Sequence, residues 1–436
     1  MKKLIFIELN EVRFNSLEGY IKQGHLPSFK KLIDDHGYCR TESETKYENL
    51  EPWIQWVSAR TGKSYEEHGI FRLGDIIESD IPQYWETVES LGYSVAAISP
   101  INGANHTKNS PFWIPDPWVN TKVSGNWEAK AAYKSIRQAV NENAKSRLSA
   151  RSVVTLLYLI AKTITARSFS TYKSNAVGIW KRKKWHKAVL LDQLLCDLFM
   201  SLWEKHKPDC STLFLNSAAH LQHHYFYNSE TYEGDTRNPD WYIDPKDDPL
   251  LRIYEVYDSL IERLQKTGNT RILIGTGLSQ IPYDRVTFYY RLREHLHFLS
   301  LIDIFPSSLE TRMSRDFLIS FDNEESCSDA EEKLVELSDN NKRSIFTCDN
   351  RGCSLFVTLE YPYEIGTDFD LLNGEGKCSL TNFLEHVAFV AIKNGHHCSE
   401  GYFIDTENYG AKDDFLSIQD LHDKVIDHFQ QAKRVR

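Results

Sequence analysis

Short continuous apolar runs recur along this chain, and helical spacing fills most of the intervals between them. LIFIEL (4–9), SVAAIS (94–99), STLFLN (211–216), RILIGT (271–276) and HVAFVAIKN (386–394) are each about one strand long. Their near-absence of alternation predicts strands buried on both faces of one largely parallel sheet. Helical patterns occupy 14–22, 27–35, 81–91, 248–266 and 416–431. A further helix is predicted from Pro52 to Thr61, opened by its proline and stopped at Gly62. Strand and helix in alternation define a doubly wound α/β architecture. Two regions depart from it. From about 126 to 206 strands vanish and helical spacing dominates, which predicts a helical insertion. DFLISF (316–321), a helix at 328–337 and strands at 344–348 and 354–360 predict a small α+β lobe over about 305–362.

Composition narrows the picture. With 436 residues and 41% apolar content, the chain can bury a sizeable core as a soluble globular protein. A net charge of -10 excludes general nucleic-acid binding. No apolar run reaches the 18 or so residues of a membrane span, and Glu8 and Glu11 interrupt the apolar start of the chain before it reaches signal-peptide length. The eight cysteines are scattered, with no CxxC pair; a reduced, cytoplasmic chain is the expectation. RLSARSVVTLLYLIAKTITARSF (147–169) and WKRKKWHK (180–187) are basic and amphipathic. They suit either a solvated helix face or peripheral contact with a membrane surface.

Three segments carry the candidate chemistry: FIELNEVRFNSLEGY (6–20), YENLEPWIQWVSARTGKSYEEHGIFRLGD (47–75) and NGHHCSEGYFIDT (394–406). With GHLPSFKKLI (24–33), they resemble signature blocks of the alkaline phosphatase superfamily, most nearly its type I phosphodiesterase/nucleotide pyrophosphatase branch. The resemblance covers order and spacing outside 126–206, and Thr61 to Phe71 is its most specific local match. It implies an α/β fold with a mostly parallel sheet sandwiched by helices, residues 1–125 and 207–436 forming that domain and 126–206 a helical cap. It also implies phosphoryl or sulfuryl transfer between two metal ions, which lower a nucleophile's pKa and clamp the reacting oxygens.

Several positions depart from the family pattern. The first metal-binding Asp falls on Asn10, a weaker neutral ligand, with Glu8 and Glu11 beside it as substitutes. The nucleophile slot, about Asn49 to Pro52, holds no hydroxyl; Glu51 is its nearest reactive group, either a base, nucleophile or ligand, or only a helix-start acid. In LFLNSAAHLQHHYFYN (213–228) the family's Asp-x-x-x-His aligns with Ala219 and His223, within a cluster of His220, His223 and His224. Gly275 and Thr276 replace an Asp-His pair in ILIGTGLSQ (272–280), whose backbone is either an anion cradle or a plain turn. His397 takes the final ligand position, with His396 adjacent and Gly401 in register. Tyr283, Arg312, Arg315 and His396 are the candidate substrate contacts, arginine pairs being suited to oxyanions.

The expected activity is that of a divergent phosphate- or sulfate-ester hydrolase or group transferase, acting on a small-molecule, glycan or lipid-linked substrate. His223 and His397 would hold one divalent metal, zinc or manganese, helped by His220 or Glu11, with Glu51, Asn10 and Thr276 at the reacting group. Two alternatives stay open: a metal-independent transferase, and a non-catalytic descendant that binds a ligand or partner. Oligomeric state is not readable from the sequence.

Overall fold

The computed structural model describes residues 1–46, 49–141, 148–311 and 315–434. The chain forms two compact units: 1–233 with 243–282 and 395–436, and 234–242 with 283–394.

The first unit is built on an eight-stranded sheet. Strands β1 (Lys3–Leu9), β2 (Cys39–Glu42), β3 (Val95–Ile98), β4 (Trp113–Ile114), β5 (Cys210–Leu215) and β6 (Thr270–Gly275) are joined by Glu400–Asp405 and Phe415–Ser417. Across the sheet the order is Phe415–Ser417, β2, Glu400–Asp405, β6, β1, β5, β3, β4. β1 lies at the centre, parallel to β5 and β6. Glu400–Asp405 is antiparallel to both its neighbours, β2 and β6. The sheet is thus mostly parallel, with one reversed strand.

Apolar alternation in β1 places Leu4 and Phe6 in a core with Trp56, Trp85, Val425 and Phe429. These come from α3 (Pro52–Thr61), α5 (Tyr84–Ser90) and the helix Asp420–Arg434. Ile5 and Ile7 point the other way and are equally buried. Helices α2 (Pro27–His36), α9 (His186–His206), α10 (Ser217–Tyr225) and α11 (Pro249–Gln265) pack on one another there, with α9 against β5. The remaining helices that precede α9 in the chain are α1 (Phe14–Lys22), α4 (Tyr65–His68), α6 (Trp127–Asn141), α7 (Ala150–Thr163) and α8 (Ser168–Trp180). Both faces being covered explains why the strands read as continuous apolar runs.

One expectation fails here. Residues 386–394 do not enter the main sheet. Val387–Cys398 pairs with Ser279–Leu292 as a two-stranded ribbon, and Glu400–Asp405 is the sheet strand instead. Its short run Tyr402–Ile404 is buried where the longer run is only intermittently so. Between α6 and β5 the described elements are helical, as the pattern predicts, and α9 packs against β5.

The second unit holds a four-stranded antiparallel sheet, in the order Phe346–Asn350, Ser354–Leu359, Asp316–Ser320, Ser308–Thr311. The helix Glu324–Glu336 packs on it. Phe298, Phe317, Leu334 and Val357 are among its core residues. Among the described residues no helix is long and apolar enough to cross a membrane.

Candidate metal centre

The centre starts where β1 ends. Glu11 adopts φ 58°, a left-handed conformation that costs a non-glycine residue about 1–3 kcal/mol and persists only where its surroundings impose it. Two hydrogen bonds do so here. The Glu11 N–H donates to the Thr276 carbonyl at 3.0 Å, and the Glu11 carbonyl accepts from Gln222 Nε2 at 2.6 Å. The side chain is almost fully buried. Its Oε1 accepts from Asn10 Nδ2 at 2.9 Å, and its Oε2 accepts from Gln280 Nε2.

Two histidines converge on Oε2. His223 sits on α10, which begins directly after β5. Its Nε2 lies 3.4 Å from Glu11 Oε2, and its Nδ1 lies 2.8 Å from the Gly395 carbonyl. His397, near the end of Val387–Cys398, places Nε2 3.3 Å from the same oxygen. The two rings are 5.1 Å apart, centre to centre. One ligand atom from each of Glu11, His223 and His397 falls within 4.8 Å of the others.

This geometry can hold a cation. A carbonyl can only accept, so the Gly395 contact puts the His223 proton on Nδ1 and leaves Nε2 a lone pair in the neutral ring. That lone pair faces a carboxylate oxygen, acceptor against acceptor, unless a proton or metal ion lies between them. A carbonyl-fixed tautomer is what orients metal-binding histidines. Ligands about 2.0–2.1 Å from a tetrahedral ion stand roughly 3.3–3.4 Å apart, and the two measured separations are 3.4 and 3.3 Å. Two imidazoles and a carboxylate are also the donor set of catalytic zinc with one position open. Burial alone would push the Glu11 pKa up. Charge and hydrogen bonds from His397 and His223 outweigh it and hold the carboxyl well below its usual range. Gln280 adds a buried Oε1 with no hydrogen-bond partner among the described residues, on the same amide as the nitrogen that touches Glu11.

The other sequence candidates divide sharply. Asn10 is fully buried and already engaged. Its Oδ1 accepts from the Trp56 indole at 2.8 Å, and its Nδ2 donates to Glu11 and, at 2.8 Å, to Asn216 Oδ1. These bonds orient Glu11 and engage both polar atoms of the Asn10 side chain. The Thr276 hydroxyl is likewise engaged: its Oγ1 accepts from the Tyr402 N–H at 2.8 Å, tying β6 to Glu400–Asp405. Its carbonyl accepts from both Glu11 and Leu278. The turn that follows needs Gly277, whose φ is 73° and whose Cβ position lies 3.0 Å from the Trp56 ring. The Leu278 N–H is spent inside that turn, so it is not available to an anion. Glu51, at the start of α3, is half-exposed, with Oε2 4.0 Å from His397 Nδ1. His220 is exposed and meets His224 at 4.8 Å; it stands outside the group of three. Successive strand residues face opposite ways, so His396 points away from the face that carries His397.

Glu8 turns to the other side of β1, in a buried ion pair with Arg60. Tyr283 and Arg315 belong to the second unit. There Arg315 pairs with Glu360 at 3.3 Å and lies over the Tyr289 ring. Arg312 lies outside the described residues.

Three residues of the centre escaped the sequence reading: Gln222, Gln280 and Asn216. Each lies inside a quoted block, and Gln222 directly precedes His223. For Gln222 and Gln280 the signal is a polar residue at a fully buried position. His68, in the specific stretch 61–71, is also structural. Burial lowers its pKa to about 4; its Nδ1 accepts from the Ile70 N–H at 2.9 Å, and its Nε2 lies 3.0 Å from Ser58 Oγ on α3.

No model of a known protein family matches this chain, and no curated protein sequence matches it. Solved structures similar to it include phosphonoacetate hydrolase from Sinorhizobium meliloti 1021 in complex with phosphonoformate, at 11% identity, covering 98% of this chain and 96% of that one with a TM-score of 0.46. A mutant of the alkaline phosphatase PafA is similar at 11% identity over 97% of this chain and 94% of that one, TM-score 0.46. Murine ectonucleotide pyrophosphatase/phosphodiesterase 5 follows at 12% identity over 98% and 95%, TM-score 0.41. These are distant likenesses of fold and assign no role to any residue here.

Proposed function

We propose that this protein is a hydrolase or group transferase for a phosphate or sulfate ester, using one divalent cation held by Glu11 Oε2, His223 Nε2 and His397 Nε2. The carrying observation is the lone pair of His223 set 3.4 Å from a carboxylate oxygen, with the histidine proton committed to Gly395. Zinc suits the spacing best, with manganese as the competitor. A divalent ion there would supply Lewis acidity to an ester oxygen.

The chain's own groups do the rest. Asn10, Gln222 and Gln280 fix the Glu11 carboxylate by hydrogen bonds to both its oxygens and its carbonyl. Glu51, whose Oε2 lies 4.0 Å from His397 Nδ1, would either hold a proton there or take one from an incoming hydroxyl. With Gly275 and Thr276 in place of an Asp-His pair, a second ion lacks its side-chain ligands.

Elemental analysis and zinc titration of purified protein, before and after chelation, test the reading. About one ion per chain is expected, and none in His397→Ala. Two tightly held ions, or none at millimolar zinc, would overturn it. Turnover is sought on a panel of phosphomonoesters, phosphodiesters, sulfate esters and nucleotide sugars. A chain that binds one ion and is silent across that panel is a binding protein.

A further inference from the structure

The same unit contains a cavity of about 430 Å³ that the metal centre does not use. It lies against the C-terminal ends of β3 and β5, at Ser99, Phe214 and Asn216, under α6, α7 and α9. Ile136 on α6, Leu156 and Ile160 on α7, and Leu195 on α9 are typical of its apolar lining. The exposed members of the lining include Lys184, Lys187 and His220, which therefore mark its mouth. Close-packed interiors leave few voids larger than a water molecule. An apolar space with a few convergent polar groups is the usual form of a small-molecule site.

Two observations say what fits. The first is continuity with the centre: Asn216, in the cavity wall, accepts a hydrogen bond from the same Asn10 amide that holds Glu11. The second is the surface of the helices around the cavity. Between Leu148 and Leu191 the chain has no Asp or Glu, while Lys and Arg recur, in a protein whose net charge is -10. There Val154, Leu157, Phe169 and Trp180 are exposed, Trp180 by 82%. Apolar side chains among cations are the composition of a surface that meets an anionic bilayer.

We propose that the cavity receives the hydrocarbon chain of an anionic membrane amphiphile, with its phosphate or sulfate end turned toward Lys184, Lys187 and His220, and that α7 and α8 rest on the bilayer supplying it. The identity of the head rests on the phosphate-ester reading above; the chain site does not.

The test uses the full chain, metal-free, with decyl phosphate, butyl phosphate, decanol and inorganic phosphate below micellar concentration, followed by calorimetry. A fully buried methylene is worth about fourfold in affinity. Decyl phosphate is expected to bind at least about a hundredfold more tightly than butyl phosphate, and more tightly than decanol. Ala188→Trp, which fills the cavity, should erase the chain-length dependence. If that variant does not fold, the exposed pair Lys184→Glu/Lys187→Glu should weaken decyl phosphate and leave decanol unchanged. Equal affinity for decyl and butyl phosphate in the wild type overturns the proposal. Sedimentation with phosphatidylglycerol vesicles, but not phosphatidylcholine vesicles, is expected, and is reduced in Trp180→Glu. Chain-length dependence without sedimentation would overturn the membrane source. His397→Ala should keep the chain-length dependence, so loss of turnover and loss of lipid binding fail separately.

Discussion

Replacing Asn10 by Asp would restore the residue type that the superfamily resemblance leads one to expect there, yet the structure says the change should harm the metal-free protein. Asn10 Nδ2 donates to two acceptors, Glu11 Oε1 at 2.9 Å and Asn216 Oδ1 at 2.8 Å, with no solvent access. An ionised Asp donates to neither and sets two carboxylates against each other. A protonated Asp satisfies only one. Leaving one buried acceptor unpaired costs about 1–3 kcal/mol, and a buried uncompensated charge about 3–5 kcal/mol. Asn10→Asp should therefore lose about 3–5 kcal/mol in urea unfolding with chelator present. Excess zinc should narrow that gap, because zinc stabilises each folded protein by RT ln(1 + [Zn]/Kd) and the added carboxylate lowers the variant's Kd, each tenfold of tightening being worth about 1.4 kcal/mol. Asn10→Ala supplies the control: it loses stability but adds no charge, so zinc should stabilise it no more than the wild type. An Asn10→Asp protein as stable as wild type in chelator would refute the hydrogen-bond assignment. A gap that zinc does not narrow would refute the placement of a cation beside Glu11.

Three further outcomes are expected. Burial raises the Asp192 pKa from 3.8 to about 6, although Tyr257 and Ser217 donate to it. A folded pKa above the unfolded one makes stability fall as pH rises from about 4 through 6. Asp192→Asn keeps both acceptor contacts, so it should gain about 2–3 kcal/mol relative to wild type between pH 4 and pH 7; a constant difference in denaturant melts would contradict the shift. Arg60→Met should cost about 3–5 kcal/mol by leaving Glu8 charged and buried, and adding Glu8→Gln should recover much of it; an undiminished loss in the double variant would count against the pairing. Glu51→Gln should lower kcat with little change in KM, because a group acting on a proton in transit works mainly in the transition state. Unchanged kcat would leave Glu51 a helix-start acid.

Fold and site were legible in the sequence to different depths. α3 was readable to the residue because Pro52 and Gly62 fix its ends through backbone chemistry alone. β1, β5 and β6 were readable because central parallel strands must be apolar on both faces. The sheet's reversed strand was not: Tyr402–Ile404 is a shorter apolar run than 387–392, and which of the two is buried depends on neighbours far away in the sequence. In the site, His223 and His397 stood out by residue type and spacing. Helical spacing could not separate His223 from His220, since both can share a face; the Gly395 carbonyl separates them, 172 residues on. Glu11 was visible only as a neighbour of the expected ligand. Its positive φ, imposed by Gln222 and Thr276, turns its carboxylate to the histidines, and no local pattern encodes that.

The reversed strand has a consequence for how the protein comes to exist. Glu400–Asp405 is inserted between β2 and β6, and the end of the strand Val387–Cys398 just before it brings His397 to Glu11. A nascent chain not yet extended past residue 394 would hold β2 and β6 with open edges and a carboxylate facing a single imidazole. Long-range pairings of this kind form late and slowly. The nascent protein would therefore be both unable to close its candidate ion site and open to edge-to-edge association until that strand has emerged, so the reversed strand acts as a latch of co-translational assembly.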